Sequence, residues 1–253
     1  MQEFLDKIGS IANVQKKDYK DSYIENKIKA FIYDYCAREL INRKQDCPKA
    51  FIYDVEDIRF IEEGRGIYSV NANFRALDID SMSKPLRVML KLKEEADWWT
   101  IIHMESVPQI GGVPTTGNFN EYIDKNILKL RSIAAVYYSF CLFEAPKKNL
   151  EAIVNCYAKE FEVLYPWGGC KTNEQLIKWV SGISEKSSYA HHVRNISITD
   201  IQKAKVHCTV DVTYQTVNDS GEFRSMELKY EFVIEESGEG FPRISKSITT
   251  VKK

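Results

Sequence analysis

The chain has 253 residues, 44% of them apolar and 28% charged, and a formal net charge of −1. That balance fits a globular protein of one large domain or two modules, and it excludes the basic surface that a phosphate backbone requires, so no nucleic-acid partner is expected. No stretch approaches the about 18 apolar residues of a membrane span, and the opening MQEFLDKIGSIANVQKKDYK lacks the basic start and long apolar run of a secretion signal, so a cytoplasmic protein without a membrane partner is expected.

In chain order, Ser22 to Arg43 reads as a helix with Ile24, Ile28, Phe31, Ile32 and Tyr35 on its inner face. Strand-like FIYDVEDIRFI follows within Ala50 to Glu62. Then come GIYSVNANFRAL, a turn at DIDSMSKP, PLRVMLKLKEE, a turn at Ala96-Asp97, and WWTIIHMES. Alternation places Tyr68, Val70, Ala72 and Phe74 inward, and likewise Leu86, Val88, Leu90 and Leu92. Among these only Tyr68 can pass a proton. This half therefore reads as structural or as an interface, with Trp98-Trp99 as the expected contact.

Ser106 to Asn120, SVPQIGGVPTTGNFN, combines prolines, glycines and small polar residues without an apolar period, and reads as a linker. Glu121 to Phe143 is a helix by the spacing of Ile127, Leu130, Ala134, Tyr137 and Cys141. Asn149 caps a second helix with Leu150, Ile153, Val154 and Tyr157 inward. The short strand FEVLY ends at Pro166-Trp167-Gly168-Gly169. Thr172 and Gln175 form a capping box that opens a third helix, with Leu176, Trp179, Val180 and Ile183 as its buried stripe. From Ala190 the chain is strand. Val206, Cys208, Val210, Val212 and Tyr214 point one way, and so do Met226, Leu228, Tyr230, Phe232 and Ile234 after the VNDSGEF turn. RISKSITTV closes an antiparallel meander with one buried face.

The strand order of the first half matches that between Ala190 and Val251. The chain thus reads as a tandem repeat of pattern, α+β in class: two cone-shaped modules, each of helices packed on a curved antiparallel sheet. The expected boundaries are residues 1–112 for a degenerate first module, 113–120 for a linker and 121–253 for a fuller second one.

NLEAIVNCYAKEFEVLYPWGG, TNEQLIKWVSGI and HHVRNISI resemble the SnoaL-like pattern, in which a helix, a short strand and a helix lead to a strand that begins with His and runs on to Asn. Here those two positions are His191 and Asn195. VDVTYQTVNDSGEF and FPRISKSITT are similar to that family's hairpin and closing strand. The likeness covers about Phe119 to Lys253 and points to the nuclear transport factor 2-like superfamily, which includes ketosteroid isomerase and scytalone dehydratase. KAFIYDYCARE is similar to the first helix of membrane-anchored conjugation proteins that share this fold.

The resemblance implies an apolar pocket between helices and sheet, holding one or two polar groups for proton transfer beside a carbonyl. His191 is the implied acid or base, and only one of His191 and His192 can face inward. Tyr214 is a second candidate through its phenol. Tyr157, Trp167, Trp179, Cys208, Tyr214, Met226 and Tyr230 are the expected pocket walls. Catalysis needs a second polar group beside His191. Asp211 shares the wet face with His207, Thr209 and Thr213, and neither inward stripe carries a carboxylate. His103 alternates with the Trp98, Thr100, Ile102 and Met104 face and is expected outside.

The six cysteines form no CxxC pair, so no disulfide framework is expected. The histidines lack ligand spacing, no phosphate loop exists and no G-x-S-x-G occurs, so no metal or cofactor is expected. Three functions follow. The first is binding of a small hydrophobic molecule by the second module, with a structural first module. The second is a SnoaL-like lyase, isomerase or cyclase using His191. The third is an assembly protein that forms an intramolecular pseudo-dimer or a homo-oligomer.

Overall fold

A computed structural model describes residues 22–38, 41, 52–77, 83–95, 98–106, 119–183, 188–217, 221–238 and 240–252. The chain divides into two compact units that are not consecutive. Phe31–Leu130 forms an inserted unit, while Met1–Ala30 and Arg131–Lys253 together form a second, two-segment unit. The expected split near residues 113–120 falls largely outside the described residues, and Phe119 and Asn120 already belong to a helix.

In the inserted unit, strands β1 (Ile52–Gly64), β2 (Ile67–Leu77), β3 (Ser83–Glu95) and β4 (Trp98–Ser106) form an antiparallel meander in that order. The β1–β2 turn runs through Gly64, Arg65 and Gly66 at φ of 101°, 55° and 71°. Two glycines leave only Arg65 to bear a left-handed conformation in a side-chain-bearing residue. Tyr68, Val70, Ala72, Val88, Leu90 and Leu92 face inward, as their alternation predicts. The last part of helix α1 (residues 22–38) belongs to this unit, and its Ile32 and Ala37 are buried. Trp99 is buried edge-on against Tyr68 at 5.1 Å, and Trp98 meets Phe31 at 6.0 Å. Both indoles, expected as a contact between modules, are thus engaged inside their own unit. His103 is exposed and paired with Glu105. The DIDSMSKP turn lies largely outside the described residues.

The two-segment unit carries a six-stranded sheet in the order β6-β5-β10-β9-β8-β7. Its strands are β5 (Tyr157–Tyr165), β6 (Gly168–Cys170), β7 (Ser188–Gln202), β8 (Lys205–Val217), β9 (Phe223–Glu235) and β10 (Arg243–Val251). β7 to β10 are the predicted meander. β5 adds to β10 in parallel, so the sheet is mixed at that one junction. Helices α2 (Phe119–Glu144), α3 (Leu150–Asn155) and α4 (Asn173–Ser181) precede the meander.

Local chemistry sets the helix ends. Asn149 accepts from the Ala152 N–H and opens α3, and Thr172 accepts from Gln175 N–H at 3.3 Å and opens α4. The Gln175 side chain takes the N–H of Lys171 rather than of Thr172, so the predicted box closes one residue early. Tyr157, expected on the inner face of the second helix, instead opens β5. α3 stops at Asn155, and Ile244 N–H donates to Cys156 O at 2.8 Å, drawing the next residue into the sheet. Tyr157 is buried all the same.

The core of this unit joins Val136, Phe140, Ile153, Leu176 and Val180 of the helices to Val210, Val212, Phe232, Ile234 and Ile244 of the sheet. The five described cysteines are buried.

Candidate functional site

Among the described residues β7 is an edge strand, paired with β8 alone. His191 stands opposite Tyr214 in that pairing, with Glu144 bonded to its outer side. A residue in a non-hydrogen-bonded antiparallel pair turns both its N–H and its C=O away from the neighbouring strand. At His191 those two groups find helix side chains instead of a seventh strand. The N–H donates to Oε1 of Glu144, at the last residue of α2. The C=O accepts from Nδ2 of Asn26 at 3.1 Å and from Oγ of Ser22 at 3.2 Å, both on α1.

The Glu144 side chain is 1% exposed and gathers further donors. Nδ1 of His191 lies 3.1 Å from Oε1. Asn26 Nδ2 donates to Oε2 at 3.2 Å, and Ser22 Oγ lies 3.3 Å from both oxygens. The two amide hydrogens of Asn26 therefore serve two acceptors, the carboxylate and the His191 carbonyl. A carboxylate only accepts, so Nδ1 must carry the hydrogen between them, and in the neutral ring Nε2 then holds the lone pair. Among the described residues no protein group bonds Nε2.

Rings surround this imidazole. Phe140 stacks on it at 4.8 Å, Tyr214 lies at 5.1 Å, Tyr189 at 6.1 Å and Tyr230 at 6.3 Å between centroids. Burial pushes the Tyr189, Tyr214 and Tyr230 phenols up, which keeps them protonated donors at neutral pH. Tyr189 and Lys148 both donate to the carbonyl of Phe143, at the end of α2. Burial pushes the Lys148 ammonium down to about 8, with the Glu144 charge opposing the shift. Its Nζ also lies 4.9 Å from the centre of the Tyr189 ring.

Of the residues singled out from sequence, His191, Tyr214 and Tyr230 come together. His192 turns aside to Gln215. Met226 pairs in register with Tyr214, and Cys208 is buried on β8. Tyr157 packs on Phe161 at 5.0 Å. Trp179 stacks on Tyr165 at 4.9 Å and meets Phe143 at 5.5 Å. Trp167, expected at the pocket mouth, is 69% exposed at the β5–β6 turn, with Tyr165 as its ring neighbour at 6.0 Å. Asp211 pairs with Lys252 at 2.6 Å, away from His191.

Strand parity offers His191 no polar partner; its partners Glu144, Ser22 and Asn26 lie on helices, out of reach of that pattern. One signal was available: Glu144 is an acid in a last helical turn that holds no basic residue, the wrong charge for that end of the dipole. Among the described residues no group of three His, Cys, Asp or Glu is placed to hold a metal ion, and no helix is long and apolar enough to cross a membrane.

About half of the chain is similar to solved structures of the nuclear transport factor 2-like kind. A putative scytalone dehydratase from Novosphingobium aromaticivorans is 16% identical over 51% of this chain and 88% of its own, with a TM-score of 0.46. A hexachlorocyclohexane dehydrochlorinase from Novosphingobium barchaimii is 18% identical over 50% and 90%, with a TM-score of 0.42. A ketosteroid isomerase-like protein from Erwinia carotovora is 12% identical over 50% and 94%, with a TM-score of 0.39. No family model matches the chain, and no curated protein matches it.

Proposed function

We propose that the two-segment unit binds a small, mostly apolar molecule against the rings of Phe140, Tyr214 and Tyr230, with Nε2 of His191 as its polar contact. The inserted unit, whose inward strand residues offer one phenol at Tyr68, serves as an unequal structural copy. The observation that carries this reading is the Glu144 bond to Nδ1 of His191. It points a lone pair from Nε2 among aromatic rings, where one hydrogen bond is worth more than in water. The binding probe is 2-naphthol, an apolar bicycle with a single hydroxyl. Saturable quenching of its fluorescence is expected, weakened at least about tenfold in His191→Ala, a loss of about 1.4 kcal/mol. A strictly linear, non-saturating response from the native chain contradicts the proposal.

The same bond favours a second reading, acid–base catalysis. A carboxylate that holds Nδ1–H leaves Nε2 able to take a proton from carbon beside a carbonyl, while a phenol at Tyr214 or Tyr230 donates to the resulting enolate oxygen. The proton then returns from Nε2 to the same or an adjacent carbon. With 2-tetralone in D2O, proton NMR is expected to show loss of the α-proton signal faster than in buffer, and at the buffer rate with His191→Ala. Equal rates with native and variant chain remove this reading and leave the binding one standing.

A further inference from the structure

Helix α1 stands more than a hundred residues before Glu144, yet two of its side chains end on the Glu144–His191 pair. Ser22 and Asn26 are four apart and so share one helical face, and both are buried. Ile24, Ile28 and Ala30 of the same helix are also buried. A buried polar pair needs partners, and among the described residues these are groups of the site: the carboxylate and the His191 carbonyl.

We propose that Asn26 and Ser22 are positioning residues, whose bonds to Glu144 and to the His191 carbonyl fix the imidazole as the Nδ1–H tautomer with Nε2 open. This rests on the reading of His191 as the polar contact of the site, and extends the site to a helix outside the SnoaL-like stretch. The geometry gives each bond a task. Asn26 spans carboxylate and carbonyl with its two amide hydrogens, at 3.2 and 3.1 Å, and so sets the distance between Glu144 and the strand edge. Ser22 lies against both carboxylate oxygens and limits rotation of the carboxyl plane. Without them, among the described residues, the carboxylate keeps the donors of His191 alone, and its plane is free to turn away from Nδ1. A free neutral imidazole favours the opposite tautomer, with hydrogen on Nε2, so a released His191 drifts toward it.

The test is the ring nitrogen spectrum of His191 in the 15N-labelled full-length chain, at a pH where the ring is neutral. The native protein is expected to show a protonated Nδ1 and an unprotonated Nε2. Asn26→Ala combined with Ser22→Ala is expected to move at least about a third of the population to the Nε2–H tautomer, while Ser22→Thr, which keeps the hydroxyl, stays native. A spectrum unchanged in the double variant overturns the proposal, as does a native chain already in the Nε2–H form. Should the double variant fail to fold, Asn26→Ala alone carries the same reading, with the same two outcomes. Failure here is separable from failure of the binding proposal. Saturable 2-naphthol quenching with an unmoved tautomer sinks only the positioning role, and a moved tautomer without quenching sinks only the binding.

Discussion

Glu144 sits where helix electrostatics argue against it, at the negative end of α2, a placement that costs on the order of 0.3–1 kcal/mol. Three donors, the His191 N–H, its Nδ1 and the Asn26 amide, offset this, and Lys148, on the Phe143 and Ala145 carbonyls, supplies the missing positive charge just beyond the helix. Lys148 gives a test by pH. Its folded-state value near 8 lies below the ordinary 10.5. Between those values the unfolded chain holds a proton that the folded chain has released, so Lys148 makes stability rise with pH across that window. Urea midpoints of the native chain relative to Lys148→Met should therefore climb from pH 8 to pH 10, and a difference that falls or stays flat contradicts the burial of this amine. His191 was legible as the inward histidine because strand parity admits one of two neighbours. Its partners were not, since a carboxylate on a helix end and an amide on another helix meet the strand only in three dimensions.

At the scale of elements, strands were read best. Alternation marks most faces on β8 and β9: burial follows it from Val206 to Val212 and at Leu228, Phe232 and Ile234, and it breaks at Thr213, which parity puts on the wet face but which is buried under the Arg194 and Glu227 side chains it bonds. Short elements were harder. β6 is three residues long and exists because Gly169 lets two backbones close up: a Cβ there would lie 2.6 Å from the Val163 carbonyl oxygen. At Gly168 the same atom would meet the Tyr165 ring at 3.0 Å, a side chain that can turn. Gly169→Ala should cost about 1–3 kcal/mol in chemical denaturation, as other overpacked sites do, and Gly168→Ala distinctly less. The reverse ranking would show that backbone approach does not set this hairpin. The parallel β5–β10 junction left no mark in the periodicity, because an added strand looks the same from either direction.

For the whole molecule, the main departure from the sequence reading is that one compact unit is assembled from both ends of the chain. Periodicity finds elements in order and draws boundaries between them. It does not register that Ser22 and Asn26 complete the hydrogen bonds of a strand edge 165 to 169 residues later. The proposed site turns on one nitrogen, Nε2 of His191. The most direct measurement is its 15N resonance as 2-naphthol is titrated into the labelled native chain. A saturable shift at Nε2, with Nδ1 nearly still because Glu144 holds it, is the predicted result. A still Nε2 while the Trp167 indole shifts would place the bound molecule on the exposed β5–β6 turn and contradict the account.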